Sequence, residues 1–158
     1  MIGRGYYLSP VGDLQIESEN NKITLVRFCR EERLEEMSSA AVDQCIRELD
    51  EYFHKGRKYF SVELDLRGNE FQVKAWNELL AIPYGKTNSY QQQAIRVGDP
   101  NFSRAVGLAN NQNPIAIIVP CHRVIGKNGD LVGFGGGLEN KEWLLQHEGS
   151  ILKQLSLF

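Results

Sequence analysis

Apolar positions alternate early in the chain and later recur at helical spacing. The runs Tyr6-Tyr7-Leu8, Leu14-Gln15-Ile16 and Ile23-Thr24-Leu25-Val26 predict short antiparallel strands, separated by turn chemistry at Pro10 to Gly12 and at Asn20-Asn21. The polar stretch Glu31 to Ser39 predicts a loop. Ser39 is placed to cap a helix with Val42, Cys45, Ile46, Leu49 and Phe53 on one face and Gly56 just past its end. Tyr59 to Leu66 alternates again and is expected to return to the sheet.

A second part begins near Asn69, a cap for a helix carrying Phe71, Ala75, Trp76, Leu79 and Leu80, with Pro83-Tyr84-Gly85 as its stop. Ser89 caps a short helix from Tyr90 to Val97, ended by Gly98-Asp99-Pro100, and the next carries Phe102, Ala105, Val106 and Ala109. Two short helices about a tight turn outline a helix-turn-helix, a pattern that many helical hairpins share. The β-branched run Ile115-Ala116-Ile117-Ile118-Val119 predicts a buried extended segment delivering Pro120-Cys121-His122-Arg123 at its end. A glycine-rich loop surrounds Phe134, and a last helix is anchored by Trp143 and Leu144 and stopped by Gly149. The chain thus divides into a sheet-plus-helix part, 1–67, and a helical part, 68–158, an α+β organisation.

The longest apolar stretch, Ile115 to Val119, is far too short to span a bilayer. Met1-Ile2-Gly3-Arg4-Gly5 lacks the apolar core of a secretory signal, so a cytoplasmic protein without membrane contact is expected. Cys29, Cys45 and Cys121 are odd in number and widely spaced, which argues against a disulfide framework. Cys45 reads as core and Cys29 as a structural strand end. The histidines at 54, 122 and 147 have no ligand spacing relative to the cysteines, so no zinc site is expected.

A net charge of −2 suits a nucleic-acid binder poorly, yet its distribution is uneven. Between residues 84 and 127, Lys86, Arg96, Arg104, Arg123 and Lys127 face Asp99 alone. A solvated face and a nucleic-acid surface both fit that asymmetry.

Cys121 is the candidate nucleophile. A thiol reacts as thiolate and needs a base or a positive charge beside it, and His122 and Arg123 are within two residues. Neighbours on an extended chain point to opposite faces, so a bridging water or a turn starting at the cysteine is required for His122 to act on it. Glu148 is a candidate to orient His122. An inert buried cysteine beside a surface basic pair fits the same spacing.

Six blocks in order resemble the O6-alkylguanine-DNA alkyltransferases. They are Pro83-Tyr84-Gly85; Ser89-Tyr90-Gln91-Gln92; Arg104-Ala105-Val106-Gly107; Asn113-Pro114; Pro120-Cys121-His122-Arg123-Val124-Ile125; and Lys141-Glu142-Trp143-Leu144-Leu145 with His147-Glu148-Gly149. The resemblance covers about Phe71 to Gly149, whereas residues 1–67 match only in layout. It implies a ribonuclease-H-like N-terminal part and a winged-helix-like C-terminal part.

The resemblance further implies that Cys121 accepts the alkyl group of O6-alkylguanine, and of O4-alkylthymine, through a Glu148–His122–water–Cys121 relay. Asn113 would brace the turn that carries the cysteine. Double-stranded DNA would be bound through its minor groove by a monomer without cofactor or metal. Arg104 would fill the gap left by a flipped base, and Tyr90 would crowd the target phosphate. Val124, Phe134, Gly135 and Gly136 would line the base pocket.

Phe134 stands where many members have tyrosine, so any role for a hydroxyl there is lost, and Gly136 stands where some bacterial members are bulky, which predicts a roomier pocket that accepts adducts larger than methyl. The zinc ligands of mammalian relatives have no counterparts. A non-catalytic lesion-binding relative would lack Cys121. A winged-helix regulator would leave the Cys-His-Glu set without purpose, and a cysteine hydrolase would need an oxyanion hole and turn over repeatedly.

Overall fold

The computed structural model describes residues 1–151; residues 152–158, the end of the expected C-terminal part, lie outside the described residues. Strands β1 (Ile2–Ser9), β2 (Gly12–Glu19) and β3 (Lys22–Phe28) form an antiparallel sheet in sequence order. Asn20 and Asn21 both adopt positive φ, 51° and 64°, as a two-residue hairpin turn demands. The inward positions Leu14, Ile16, Ile23 and Val26 are fully buried. Helix α1 (Ala40–His54) covers them, its first turn capped by the Ser39 side chain, which accepts from the Val42 N–H.

Residues 59–66 do not form the expected strand. The buried Glu48 carboxylate of α1 accepts the N–H groups of Ser61 and Val62, so these are not free for a ladder. Only a single parallel bridge, Ile23 to Leu64, joins the segment to the sheet.

Helix α2 (Glu70–Leu80) opens on a capping box between Asn69 and Gln72, and α3 (Tyr90–Val97) on one between Ser89 and Gln92. The two-residue strand β4 (Asn88–Ser89) precedes α3 and pairs in parallel with β5 (Val124–Ile125). Gly98, at φ 146°, and Asp99, which caps the 3-10 turn Pro100–Phe102, turn the chain into α4 (Ser103–Asn111). Paired amide hydrogen bonds between Gln93 and Asn110, both buried, lock α3 to α4. The Trp76 indole N–H donates to the Ala109 carbonyl and ties α2 to the pair.

The run 115–119 is buried as predicted but is not extended. It curls into a tight turn in which the Val119 N–H donates to the Ile115 carbonyl, and Ile117 takes φ 72°. A β-branched residue in the left-handed region is strained by about 1–3 kcal/mol, and burial of its side chain holds it there. The run is docked on β3: the Val26 N–H donates to the Pro114 carbonyl, and the Ala116 N–H to the Val26 carbonyl.

Helix α5 (Leu138–His147) closes the fold, with Leu144 and Leu145 fully buried and Gly149 ending it at φ 77°. Trp143 is only half-buried, stacked on His147. One continuous core unites Leu14, Ile23 and Leu49 of the first part with Trp76, Ile117 and Leu144 of the second. Among the described residues no helix is long and apolar enough to cross a membrane.

Candidate active site

The curled segment ends at Pro120, and Cys121 opens a 3-10 turn, Cys121–Arg123. The turn, rather than an extended strand, sets the relation of Cys121 to His122. Asn113 fixes it: its amide Nδ2 donates to the Val119 carbonyl at 2.8 Å and to Cys121 Sγ at 3.3 Å, while its Oδ1 accepts from the Ile115 N–H. Burial raises the Cys121 thiol above its ordinary pKa. The Asn113 hydrogen bond, the Lys141 charge and the N–H groups of Cys121 and His122 work in the opposite direction. At rest Cys121 is a buried thiol, so it needs a base.

His122 is fully buried and its Nε2 lies 2.8 Å from Glu148 Oε2. Burial holds its pKa below the ordinary value, outweighing the attraction of the Glu148 carboxylate, so the ring is neutral. With Nε2–H donated to Glu148, the lone pair sits on Nδ1, a buried atom with no hydrogen-bond partner among the described residues. An unpaired acceptor on the residue next to the thiol is a proton acceptor in waiting.

Glu148 is itself buried and heavily bonded. Tyr52 Oη donates to Oε2 at 2.6 Å, Arg123 Nε to Oε1 at 2.7 Å and Arg123 Nη2 to Oε2 at 3.1 Å. Burial pushes the carboxyl pKa up, but the hydrogen bonds from His122 and Arg123, with the Arg123 charge, prevail and hold it at about 2. Since His122 stays neutral, Arg123 supplies the lasting positive charge.

Arg123 therefore differs from its expected role. It is buried, turns away to Glu148 and the Ile82 carbonyl, and does not act on the thiol. The cation that does is Lys141, fully buried on α5. Its Nζ donates to the carbonyls of Val124 at 2.7 Å, Val132 at 2.9 Å and Gly133 at 3.4 Å. Burial drives its pKa down to about 8, against the pull of Cys121. Lys141 and Tyr52 join the site without being singled out by the sequence pattern. Their signals were a lysine among core positions with Leu144 and Leu145, and a tyrosine one turn after Leu49.

A cavity of about 200 Å³ opens onto Cys121, lined on one side by Asn110, Asn113, Ala116, Phe134, Gly135 and Gly136. Its other side is β3, at Val26, Arg27 and Phe28. Val124 is not in the lining: it is fully buried, with its carbonyl taken by Lys141. Gly136 does not leave room either. A Cβ there would come within 2.5 Å of Phe28 and 2.8 Å of Phe134, because both rings already occupy the space.

Tyr90 is half-buried beside the site; its hydroxyl donates to the Val132 carbonyl at 2.9 Å. Arg104 is exposed on α4, next to exposed Ala105. Lys86, Arg96 and Lys127 are also exposed, so four of the five basic residues between 84 and 127 remain on the surface after Arg123 is withdrawn.

Comparison with known proteins covers almost the whole chain. Residues 70–150 match the family described as 6-O-methylguanine DNA methyltransferase, DNA binding domain, and residues 2–66 its ribonuclease-like domain. A methylated-DNA–protein-cysteine methyltransferase of Methanosarcina acetivorans is 45% identical over 148 residues, 90% of this chain and 95% of the relative. The protein of that name from Mycobacterium leprae is 53% identical over 121 residues, 76% of this chain and 73% of the relative. The crystal structure of Mycobacterium tuberculosis O6-methylguanine methyltransferase superposes with a TM-score of 0.86 at 42% identity, covering 95% and 94% of the two chains. That of Mycobacterium tuberculosis OGT in complex with DNA gives 0.84 at 44% identity, covering 92% and 91%.

Proposed function

The chain belongs to the 6-O-methylguanine DNA methyltransferase family, and on that premise we propose that Cys121 takes the alkyl group of O6-alkylguanine from DNA. The protein acts by direct reversal as a methylated-DNA–protein-cysteine methyltransferase. The observation that carries the assignment of roles is the His122 ring, bonded to Glu148 through Nε2 and free at Nδ1, immediately after a buried thiol.

The Cys121 proton passes, through a water, to His122 Nδ1. Glu148 holds the tautomer and stabilises the imidazolium that results. Sγ then attacks the alkyl carbon, the S–C bond forming as the C–O6 bond breaks. The electron pair leaves on guanine, which regains a proton. The product is a thioether with no ready route back to thiol, so each molecule reacts once. Lys141 keeps positive charge near the sulfur as it ionises.

The alkyl carbon is out of reach in a stacked duplex, so the nucleotide is flipped into the Cys121 cavity. Arg104 enters the gap from α4 and Tyr90 crowds the target phosphate, with α4 in the minor groove and the protein acting as a monomer. Accessible Arg104 and the exposed Lys86, Arg96 and Lys127 support this reading. Residues 1–67 serve as a supporting domain for the DNA-binding domain, 68–158, and O4-alkylthymine is a second substrate.

Incubation with an oligonucleotide bearing O6-methylguanine, followed by intact mass and peptide mapping, tests the proposal. One methyl group on Cys121, absent from Cys121→Ala, is the expected result. Unmodified protein that binds tightly would mean a lesion-binding module instead, and release of product with repeated turnover a hydrolase.

A further inference from the structure

We propose that Phe28, on the last strand of the N-terminal sheet, sets the size of the O6 substituent that this protein accepts. The inference rests on the reading of Cys121 as the alkyl acceptor and adds a specificity-determining residue from outside the DNA-binding part.

The cavity at Cys121 has two walls of different origin. One comes from the glycine-rich loop, and the other from β3. Phe28 closes the gap between them. Its ring meets Phe134 edge-on, with centroids 5.7 Å apart and planes at 79°. Its Cε2 and Cζ atoms lie 2.5 and 2.7 Å from where a Cβ on Gly136 would project. Gly136 is glycine because an aromatic ring from the other part of the chain occupies its side-chain space.

Both sides of this contact are fastened. The Asn140 amide donates to the Gly136 carbonyl at 2.9 Å and to the Val11 carbonyl at 3.1 Å, so the loop cannot back away without losing its bond to the first part. Strand β3 is bonded at Val26 to Pro114 and Ala116, either side of the start of the curled segment. Phe28 also has a fixed register opposite Leu14 in the sheet. The ring is therefore anchored to the scaffold that positions the thiol. A substituent larger than methyl has to displace it, and close-packed walls resist such displacement rather than yielding gradually.

The test compares the rate of methyl transfer from an O6-methylguanine oligonucleotide with that of benzyl transfer from free O6-benzylguanine, both followed by intact mass. Phe28→Ala is expected to raise the benzyl-to-methyl rate ratio about tenfold or more, in line with the selectivity that one or two methylenes confer in an apolar pocket. Phe28→Leu should raise it less. An unchanged or lower ratio in both variants overturns the proposal.

A second arm tests the contact itself. Gly136→Ala should slow both reactions, and adding Phe28→Ala should restore them. No restoration in the double variant also overturns the proposal. If the unaltered protein takes no methyl group, the alkyl-acceptor reading fails, a result distinct from a normal methyl rate with an unmoved ratio.

Discussion

Tyr52 Oη donates a 2.6 Å hydrogen bond to Oε2 of Glu148, joining residues 96 positions apart in the chain. The same oxygen lies 2.8 Å from His122 Nε2. A helix of the N-terminal part thus helps to position the carboxylate bonded to His122.

Tyr52→Phe removes that donor and leaves the ring in its buried place. The lost hydrogen bond to a buried carboxylate should cost about 1–3 kcal/mol in urea unfolding. Methyl transfer should slow several-fold, without being abolished, because both Arg123 bonds to Glu148 remain. Wild-type rate and stability together would show that Tyr52 has no part in the relay.

Such contacts explain where the sequence was legible. The caps at Ser39, Asn69 and Ser89 follow from local chemistry and stand where the pattern put them. The pattern of 115–119 shows burial but not its curled backbone, because positive φ at Ile117 depends on tertiary packing that β-branching does not encode. Residues 59–66 touch the sheet only at the Leu64 bridge because Glu48 claims the N–H groups of Ser61 and Val62. Arg123 was expected to serve the thiol and instead bonds Glu148, a choice made across 25 residues. Phe28 and Tyr52 reach the site only through tertiary packing and carry no local motif.

Glu148 also makes stability depend on acidity. Its carboxyl stands at about 2 in the folded protein against an ordinary 4.5, so the folded state favours the ionised form. That contribution is fully present above pH 4.5 and is lost as pH falls through 4.5 towards 2. Urea midpoints across that window should drop for the wild type and less steeply for Glu148→Gln, which should also be less stable at neutral pH. Parallel slopes would remove Glu148 as the cause.

Lys141→Met keeps an unbranched side chain one atom shorter and discards its charge and three hydrogen bonds. The loop carbonyls at Val124, Val132 and Gly133 lose their shared donor, and the Cys121 thiol loses the cation that lowers its pKa. Methyl transfer should slow most near neutral pH and recover as pH rises. The measurement is the single-turnover rate from pH 6 to about 9, past the pKa of about 8 at which Lys141 gives up its own charge in the wild type. A uniform loss at every pH would indicate damage to the loop alone.

Arg104→Ala separates base flipping from chemistry. Arg104 is exposed on α4, while Cys121, His122 and Glu148 are buried, so its removal should leave the relay intact. Repair of O6-methylguanine in duplex DNA should slow by about tenfold or more, the size expected when an interaction of at least 1.4 kcal/mol is lost from the flipped state. Reaction with the free base, which needs no flipping, should stay near the wild-type rate. The loss should persist at low salt, where non-specific affinity is restored, because filling the vacated stack is a local contact rather than a phosphate attraction. Equal slowing on duplex and free base would place Arg104 in the support of the pocket and not in the flipping step.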